Sequence, residues 1–225
     1  MNWFLRLNSA LIRAFALAAG LAPMLAGAAH AAAPGPGHGL FGSEEIRNGD
    51  LTAFSKWNDM ISHHDWEEQR KGAKLPCRVT SAFKCRRDEW QDLLPRIEGK
   101  SWKDKIAAVN SFMNEAEYIS DIRNWGMADY WASVREFLRK DGDCEDYAIA
   151  KYYSLKALGL SVSDMRVVVL EDTNLKTAHA VLAVSFEGET LILDNQMPDV
   201  VNATSILHYR PIYSINEQAW WLHKL

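Results

Sequence analysis

Asp141-Gly142-Asp143-Cys144-Glu145-Asp146-Tyr147 sets one cysteine among four carboxylates at what reads as the start of a helix. Downstream of it, Cys144, Ala148, Tyr152 and Leu155 recur at i, i+4, i+8 and i+11, a buried stripe with the thiol at its top. Asp143 followed by Asp146 has the form of a capping box, and Gly159 is a natural stop, so a helix is predicted from Cys144 to about Leu158. The N–H groups of a first helical turn favour a thiolate and can hold an oxyanion. The neighbouring acids oppose it, because their charge disfavours ionisation of the thiol. A hard divalent cation with oxygen ligands would offset that repulsion. Acids also suit a helix N-terminus for capping alone, but four within six residues exceed what capping requires. The order of an EF-hand loop is absent.

Beyond Gly159 the apolar period changes from helical to strand-like. Arg166–Leu170, Ala178–Phe186 and Thr190–Asp194 read as strands, and Glu187-Gly188 as the turn of a hairpin joining the last two. If those are the two central turn residues, Phe186 pairs with Glu189 and His179 falls opposite Gln196. Asp194 is then a diagonal neighbour on the same face as His179, within reach of an imidazole. A slip of one residue would separate them. A base for Cys144 has to be a group like His179, and the base needs an orienting group like Asp194. Each also has an ordinary reading: a satisfied core histidine, and an aspartate at a strand end. His208–Ser214 is expected as an edge strand, since Pro211 suits an edge, and Glu217–Leu225 as a helix.

The first half reads as helical. Leu51, Phe54, Trp57 and Ile61 have helical spacing over Leu51–Trp66. His63-His64 face different directions on such a helix, so they are not expected to share a metal. A short helix over Asp88–Leu94 is expected to end at Pro95. Ser101 caps a helix running to about Ala116, and Ser133 caps one ending at Lys140. Tyr118–Arg123 is expected to be irregular. Trp125, Tyr130 and Trp131 either wall a groove or belong to the core. Helices first and antiparallel strands last make an α+β pattern.

Residues 1–33 have the form of a secretory signal. Arg6 and Arg13 precede an Ala-rich apolar run, and Ala29-His30-Ala31 offers a cleavage site. Residues 34–42 read as a flexible lead-in rich in Pro and Gly, and 43–225 as one domain, with a helical lobe to about 158 and a β lobe from about 159. The expected location is the periplasm, with cleavage near Ala31. The net charge is -4, and losing the two arginines of the leader makes the remainder more acidic, which argues against a broad nucleic-acid footprint. In an oxidising compartment Cys77 and Cys85 are close enough in sequence to pair, leaving Cys144 as the odd thiol.

The stretches DGDCEDYAIAKYYSLKALG (141–159), TAHAVLAV (177–184) and LILDNQ (191–196) resemble the bacterial transglutaminase-like cysteine proteinases. SDIRNWGMADYWASVREFL (120–138) and YSINEQAWWL (213–222) extend the resemblance, which runs from about Phe41 to the C-terminus. It implies a transglutaminase/papain-like fold, with Cys144 as nucleophile, His179 as general base and Asp194 as its orienter. It further implies Ca²⁺ bound by Asp143 and Glu145. The implied substrate is a large, repeat-rich cell-surface adhesin, cut near its N-terminus at a site of paired alanines so that a biofilm disperses. The implied regulator is an inner-membrane cyclic di-GMP receptor whose periplasmic domain sequesters the protease.

Three function classes are thus in play. The first is a calcium-dependent cysteine endopeptidase acting by thiolate attack, acyl-enzyme formation and hydrolysis. The second is a transglutaminase-type acyl transfer, which shares the acyl-enzyme and differs in the acceptor. The third is a non-catalytic, calcium-stabilised binding module, against which an intact Cys/His/Asp set argues.

Overall fold

The structure is a computed structural model that describes residues 39–70 and 86–225. The leader, the first part of the lead-in, and Cys77 and Cys85 lie outside the described residues. No helix among the described residues is long and apolar enough to cross a membrane.

Six helices are described: α1 (Ser55–Gln69), α2 (Arg86–Ile97), α3 (Trp102–Asn114), α4 (Asp121–Asn124), α5 (Val134–Lys140) and α6 (Cys144–Ala157). The strands are β1 (Glu44–Asn48), β2 (Met165–Asp172), β3 (Thr177–Phe186), β4 (Glu189–Leu193), β5 (Val201–Asn202), β6 (Tyr209–Ile215) and β7 (Trp220–Lys224). They form one antiparallel sheet in the order β1-β7-β6-β2-β3-β4-β5. The α+β expectation holds. The helices pack on one face of the sheet, where Trp57, Met113, Phe137, Ile149, Tyr152 and Leu182 form the main core. A smaller cluster on the other face gathers Val168, Leu170, Val181, Ile192 and Tyr209 under Leu40.

The helix ends follow the local chemistry. Ser101 Oγ accepts from the Asp104 N–H (3.2 Å), and Ser133 and Glu136 form a reciprocal capping box. At the far end of α6, Gly159 adopts a positive φ of 94°. The Gly159 N–H donates to Lys156 O (2.9 Å) and the Leu160 N–H to Leu155 O (3.0 Å). This is a Schellman closure, which glycine permits because it has no Cβ to clash. The β3–β4 turn has positive φ at both Glu187 (51°) and Gly188 (81°), and Phe186 pairs with Glu189 as the sequence predicted.

Several sequence expectations are corrected. The C-terminal segment is strand β7 rather than a helix, because Trp220–Lys224 finds partners on both sides, in β6 and β1. β1 itself lies in the sheet, so the division into a helical lobe to 158 and a β lobe from 159 does not hold. The β6 strand is interior, not an edge; Pro211 is accommodated at a bulge where the β2 register shifts between Val169 and Leu170. Pro95 lies within α2, which continues to the buried Ile97. Pro95 gives up the bond its N–H would make to Gln91 O, and α2 nevertheless continues so that Ile97 is buried. The end of the lead-in is also part of the fold: Leu40–Gly42 is a 3-10 turn with Leu40 buried.

A buried polar network ties β1 to the sheet. His223 shares hydrogen bonds with Ser43 Oγ (2.7 Å, Nδ1) and Ser214 Oγ (2.9 Å, Nε2). Glu45 pairs with Arg166 (2.8 Å) and accepts from the Leu40 N–H (2.9 Å). Burial holds His223 down to about 4, with the charge of Glu45 pulling the other way. An unfolded histidine takes its proton near the usual 6.5, so the unfolded chain gains protons first as the pH falls. The contribution of His223 to stability is therefore full above about 6.5 and is lost from there toward 4. We predict that His223→Gln flattens this component of the melting profile. At neutral pH it should cost about 1–3 kcal/mol, because a serine hydroxyl loses its partner. Thermal melts of both proteins from pH 4 to 8 check this.

Candidate active site

Cys144 is the first residue of α6, and the loop that delivers it is held from several sides. The Ile119 N–H donates to Gly142 O (2.9 Å), and Asn124 Nδ2 to Asp141 O (3.1 Å). Tyr147, one turn into the helix, donates its hydroxyl to Ala116 O (2.7 Å). Gly142 packs so closely on Asp146 that a Cβ built there would lie 2.2 Å from a carboxylate oxygen. This is a close approach that only glycine permits. The Asp143 N–H donates to Asp146 Oδ2 (3.3 Å), the capping contact expected from sequence. Asp141, at a positive φ of 58°, turns away toward Arg86 (4.0 Å) and leaves the cluster.

β3 brings His179, and the end of β4 brings Asp194. His179 Nε2 lies 2.9 Å from Asp194 Oδ1, and both side chains are buried. The diagonal geometry derived from the hairpin register is therefore present. Asp194 also accepts from the Gln196 N–H (2.8 Å) and from the Tyr209 hydroxyl (2.5 Å). Burial alone would raise this carboxyl, but donation from His179, the imidazolium charge, Tyr209 and Gln196 outweigh it and hold it below the usual range. With Nε2 committed to Asp194, Nδ1 is the nitrogen left for a second partner, and Gln196 Nε2 stands 3.5 Å from it. Asn114 Nδ2 donates to Asp194 O (2.8 Å) and Met197 O (3.0 Å), so α3 clamps the loop that carries the acid.

The sulfur of Cys144 meets the backbone N–H of Ala180, the neighbour of His179. Its own hydrogen-bond partner is Glu145 Oε2 (3.3 Å), not the imidazole. Burial pushes the thiol well above its ordinary value; the charge and hydrogen bond of Glu145 and the charge of Asp143 add to this, and the Ala180 N–H opposes it. Left with its acids uncompensated, Cys144 is held as a thiol.

The acids around it form a wider cluster than the sequence suggested. Oxygens of Asp121, Asp129 and Glu145 lie within 4.8 Å of one another, as do oxygens of Asp121, Asp143 and Asp146. Burial, then the charge of Asp143, raises Glu145 to about 8. Burial raises Asp121 to about 6, with the Tyr130 N–H opposing and Asp143 adding. Asp143 and Asp146 are raised too, burial first in each case. Two oxygens, Asp121 Oδ1 and Asp143 Oδ1, are buried without a hydrogen-bond partner. Asp146 is already engaged, by the Ala132 N–H (2.7 Å) and the Asp143 N–H. A converging set of carboxylates with unsatisfied oxygens suits a hard cation, and Asp121, Asp129, Asp143 and Glu145 are the residues positioned to hold one.

Asp121 and Asp129 escaped the sequence reading because they lie in a stretch that looked irregular and aromatic. Tyr209, which braces Asp194, fell in the strand assigned to an edge. Of the aromatic stretch, Trp131 is core, packed edge-on to Trp57 (6.1 Å), whereas Trp125 and Tyr130 pack on each other (4.5 Å). The exposed aromatic near the acid cluster is Tyr118. Gly142→Ala is predicted to displace the Asp146 carboxylate and destabilise the fold by about 1–3 kcal/mol. Gly99→Ala, where a Cβ meets nothing within 4 Å, should be nearly neutral. Denaturant unfolding of the two variants measures both.

The profile of the bacterial transglutaminase-like cysteine proteinases matches residues 76–223. No curated protein sequence matches the chain. Solved structures of Legionella pneumophila LapG are similar at 35% identity and a TM-score of 0.56, covering 61% of this chain and 77% of that one. One of these was determined calcium-bound, with the same identity, coverage and score. Another, EGTA-treated, superposes at a TM-score of 0.57 over 62% of this chain. The helix-capped antiparallel sheet is thus the papain-like transglutaminase fold, and the chain belongs to the bacterial transglutaminase-like cysteine proteinase family.

Proposed function

We propose that this protein is a calcium-dependent cysteine endopeptidase that uses Cys144 as nucleophile, His179 as general base and Asp194 as the orienter of the imidazole. The observation that carries the reading is the buried His179–Asp194 pair, with His179 on the strand whose next residue, Ala180, meets the sulfur of Cys144. Asp194 fixes Nε2 of the ring, which leaves Nδ1 to take the thiol proton. Tyr209 and the Gln196 N–H keep Asp194 ionised and in place. The first N–H groups of α6 then face the oxyanion that forms when sulfur attacks a peptide carbonyl. Proton return from His179 to the leaving amine and attack by water complete the cycle.

Calcium enters because the thiol is opposed by its own neighbours. A bound cation supplies positive charge that offsets the acids, which lowers the cost of the thiolate. Asp121, Asp129, Asp143 and Glu145 would hold it, and Glu145 is also the group that now accepts the thiol hydrogen. The relative from Legionella was solved both calcium-bound and EGTA-treated, which supports an exchangeable ion in this family.

The substrate we propose is a large, repeat-rich surface adhesin, cut near its N-terminus at paired alanines and so released from the cell. Location in the periplasm, after cleavage of residues 1–33 near Ala31, puts the enzyme beside that substrate. Control by the periplasmic domain of an inner-membrane cyclic di-GMP receptor completes the proposal. The substrate and the regulator rest on the family resemblance of the sequence, and the location on the signal-like form of residues 1–33.

Cys144→Ala is expected to lower cleavage of an adhesin N-terminal fragment at least about a thousandfold while leaving the melting temperature near that of the wild type. Tyr209→Phe should lower kcat/KM about tenfold, since it removes one hydrogen bond to a charged acceptor. Calcium should raise the melting temperature of the wild-type protein, and EGTA or Asp143→Asn should suppress both that gain and cleavage. Robust incorporation of a labelled amine into a glutamine-bearing protein, without cleavage, would replace the proteolytic reading with acyl transfer.

A further inference from the structure

Phe41 has a φ of 54° and a ψ of 30°, the left-handed conformation. A bulky side chain is an outlier there, because its Cβ crowds the backbone, whereas glycine would sit without strain. Such a conformation persists only where the surrounding structure imposes it, and it points to a use for the side chain.

The turn that carries Phe41 is closed and anchored. The Gly39 N–H donates to Ser43 O (2.8 Å), the Gly42 N–H to Gly39 O (3.1 Å) and the Ser43 N–H to Leu40 O (3.1 Å). The Ser43 hydroxyl donates to Leu40 O (2.8 Å) and lies 2.7 Å from His223 Nδ1. On the other side of the turn, Leu40 is buried in the smaller core and its N–H is held by Glu45. With Leu40 and Ser43 both fixed, the two residues between them have little freedom.

What the strained residue gains is contact with Tyr209. The rings of Phe41 and Tyr209 stand edge to face, with centroids 5.7 Å apart at 79°. The Tyr209 ring also meets that of His179 (5.8 Å, 62°), and its hydroxyl donates to Asp194 Oδ2 (2.5 Å). Asp194 Oδ1 in turn lies 2.9 Å from His179 Nε2. Direct contacts therefore run from the turn to the base, beginning in the cluster on the sheet face opposite the helices.

We propose that Phe41 is a positioning residue for the His179–Asp194 pair: the turn Gly39–Ser43 holds its ring against Tyr209, which keeps the Tyr209 hydroxyl on Asp194 Oδ2 and fixes the carboxylate that orients the imidazole. A hydrogen bond weakens steeply as its angle departs from linear, so a tyrosine free to tilt holds the carboxylate poorly. A carboxylate that rotates no longer aims His179 Nδ1. A misplacement of about 1 Å arising outside the reacting groups can cost up to about a hundredfold in rate.

The consequence for turnover rests on the proteolytic reading, but the positioning is measured without it. In calcium-loaded Cys144→Ala protein, the Nε2 proton of His179 should give a low-field proton resonance, sheltered from water by its bond to Asp194. Phe41→Gly, which suits the positive φ, should move this resonance upfield and speed its exchange with water. Phe41→Tyr, which keeps the ring, should restore it. With Cys144 intact, Phe41→Gly should lower kcat about tenfold and leave KM within about twofold. In the Tyr209→Phe background the same change should cost no more than about twofold, because both substitutions act on one hydrogen bond. Phe41→Ala makes the same truncation if the glycine variant folds poorly. An unmoved resonance, or an unchanged kcat in a protein that cleaves an adhesin fragment, would make Phe41 a packing residue only. A wild-type protein that cleaves no adhesin fragment, but whose resonance responds to Phe41→Gly, would defeat the proteolytic reading and leave the positioning in place.

Discussion

Negative charge crowded around a buried thiol is the constraint on which the rest of this structure depends. Asp121, Asp143, Glu145 and Asp146 are all raised by burial, Asp143 disfavours the ionisation of the other three, and Glu145 and Asp143 disfavour that of Cys144. The protein meets part of this demand with backbone N–H groups: Ala132 to Asp146, Tyr130 to Asp121, and Asp121 to Asp143. Two oxygens are left without donors, which is the signature of a site built for a cation. A cation held there would act on the thiol through Glu145, its immediate neighbour in the chain.

The second half of the site meets its demand by different means. Asp194 is equally buried, but it collects three donors and stays ionised. The β3–β4 hairpin makes this possible. Its two-residue turn fixes a register in which His179 and Asp194 share a face, and β6 adds Tyr209 from across the sheet. Asp194 is thus stabilised by fixed dipoles, whereas the cluster beside Cys144 keeps two buried oxygens without a donor.

Much of this was legible in local chemistry. The helix start at Cys144, its Schellman end, the caps at Ser101 and Ser133, and the turn at Glu187-Gly188 all depend on neighbouring residues in the chain, and all were found where the pattern placed them. The errors have a common cause. Trp220–Lys224 has no intrinsic reason to be a strand until β1 and β6 flank it, and Pro211 suggests an edge until a bulge accommodates it. Strand identity is decided by partners, which a local reading does not contain.

By itself the sequence determined the α+β class, the helix that bears Cys144, the pairing of His179 with Asp194 and the presence of acids around the thiol. These follow from period, turn type and capping, each of which acts over a few residues. Only the tertiary structure decided that Asp141 leaves the cluster while Asp121 and Asp129 join it, that Tyr209 braces Asp194, and that Lys151 is fully buried. The physical reason is that burial and through-space charge depend on which distant segments are brought together, and no local pattern encodes that.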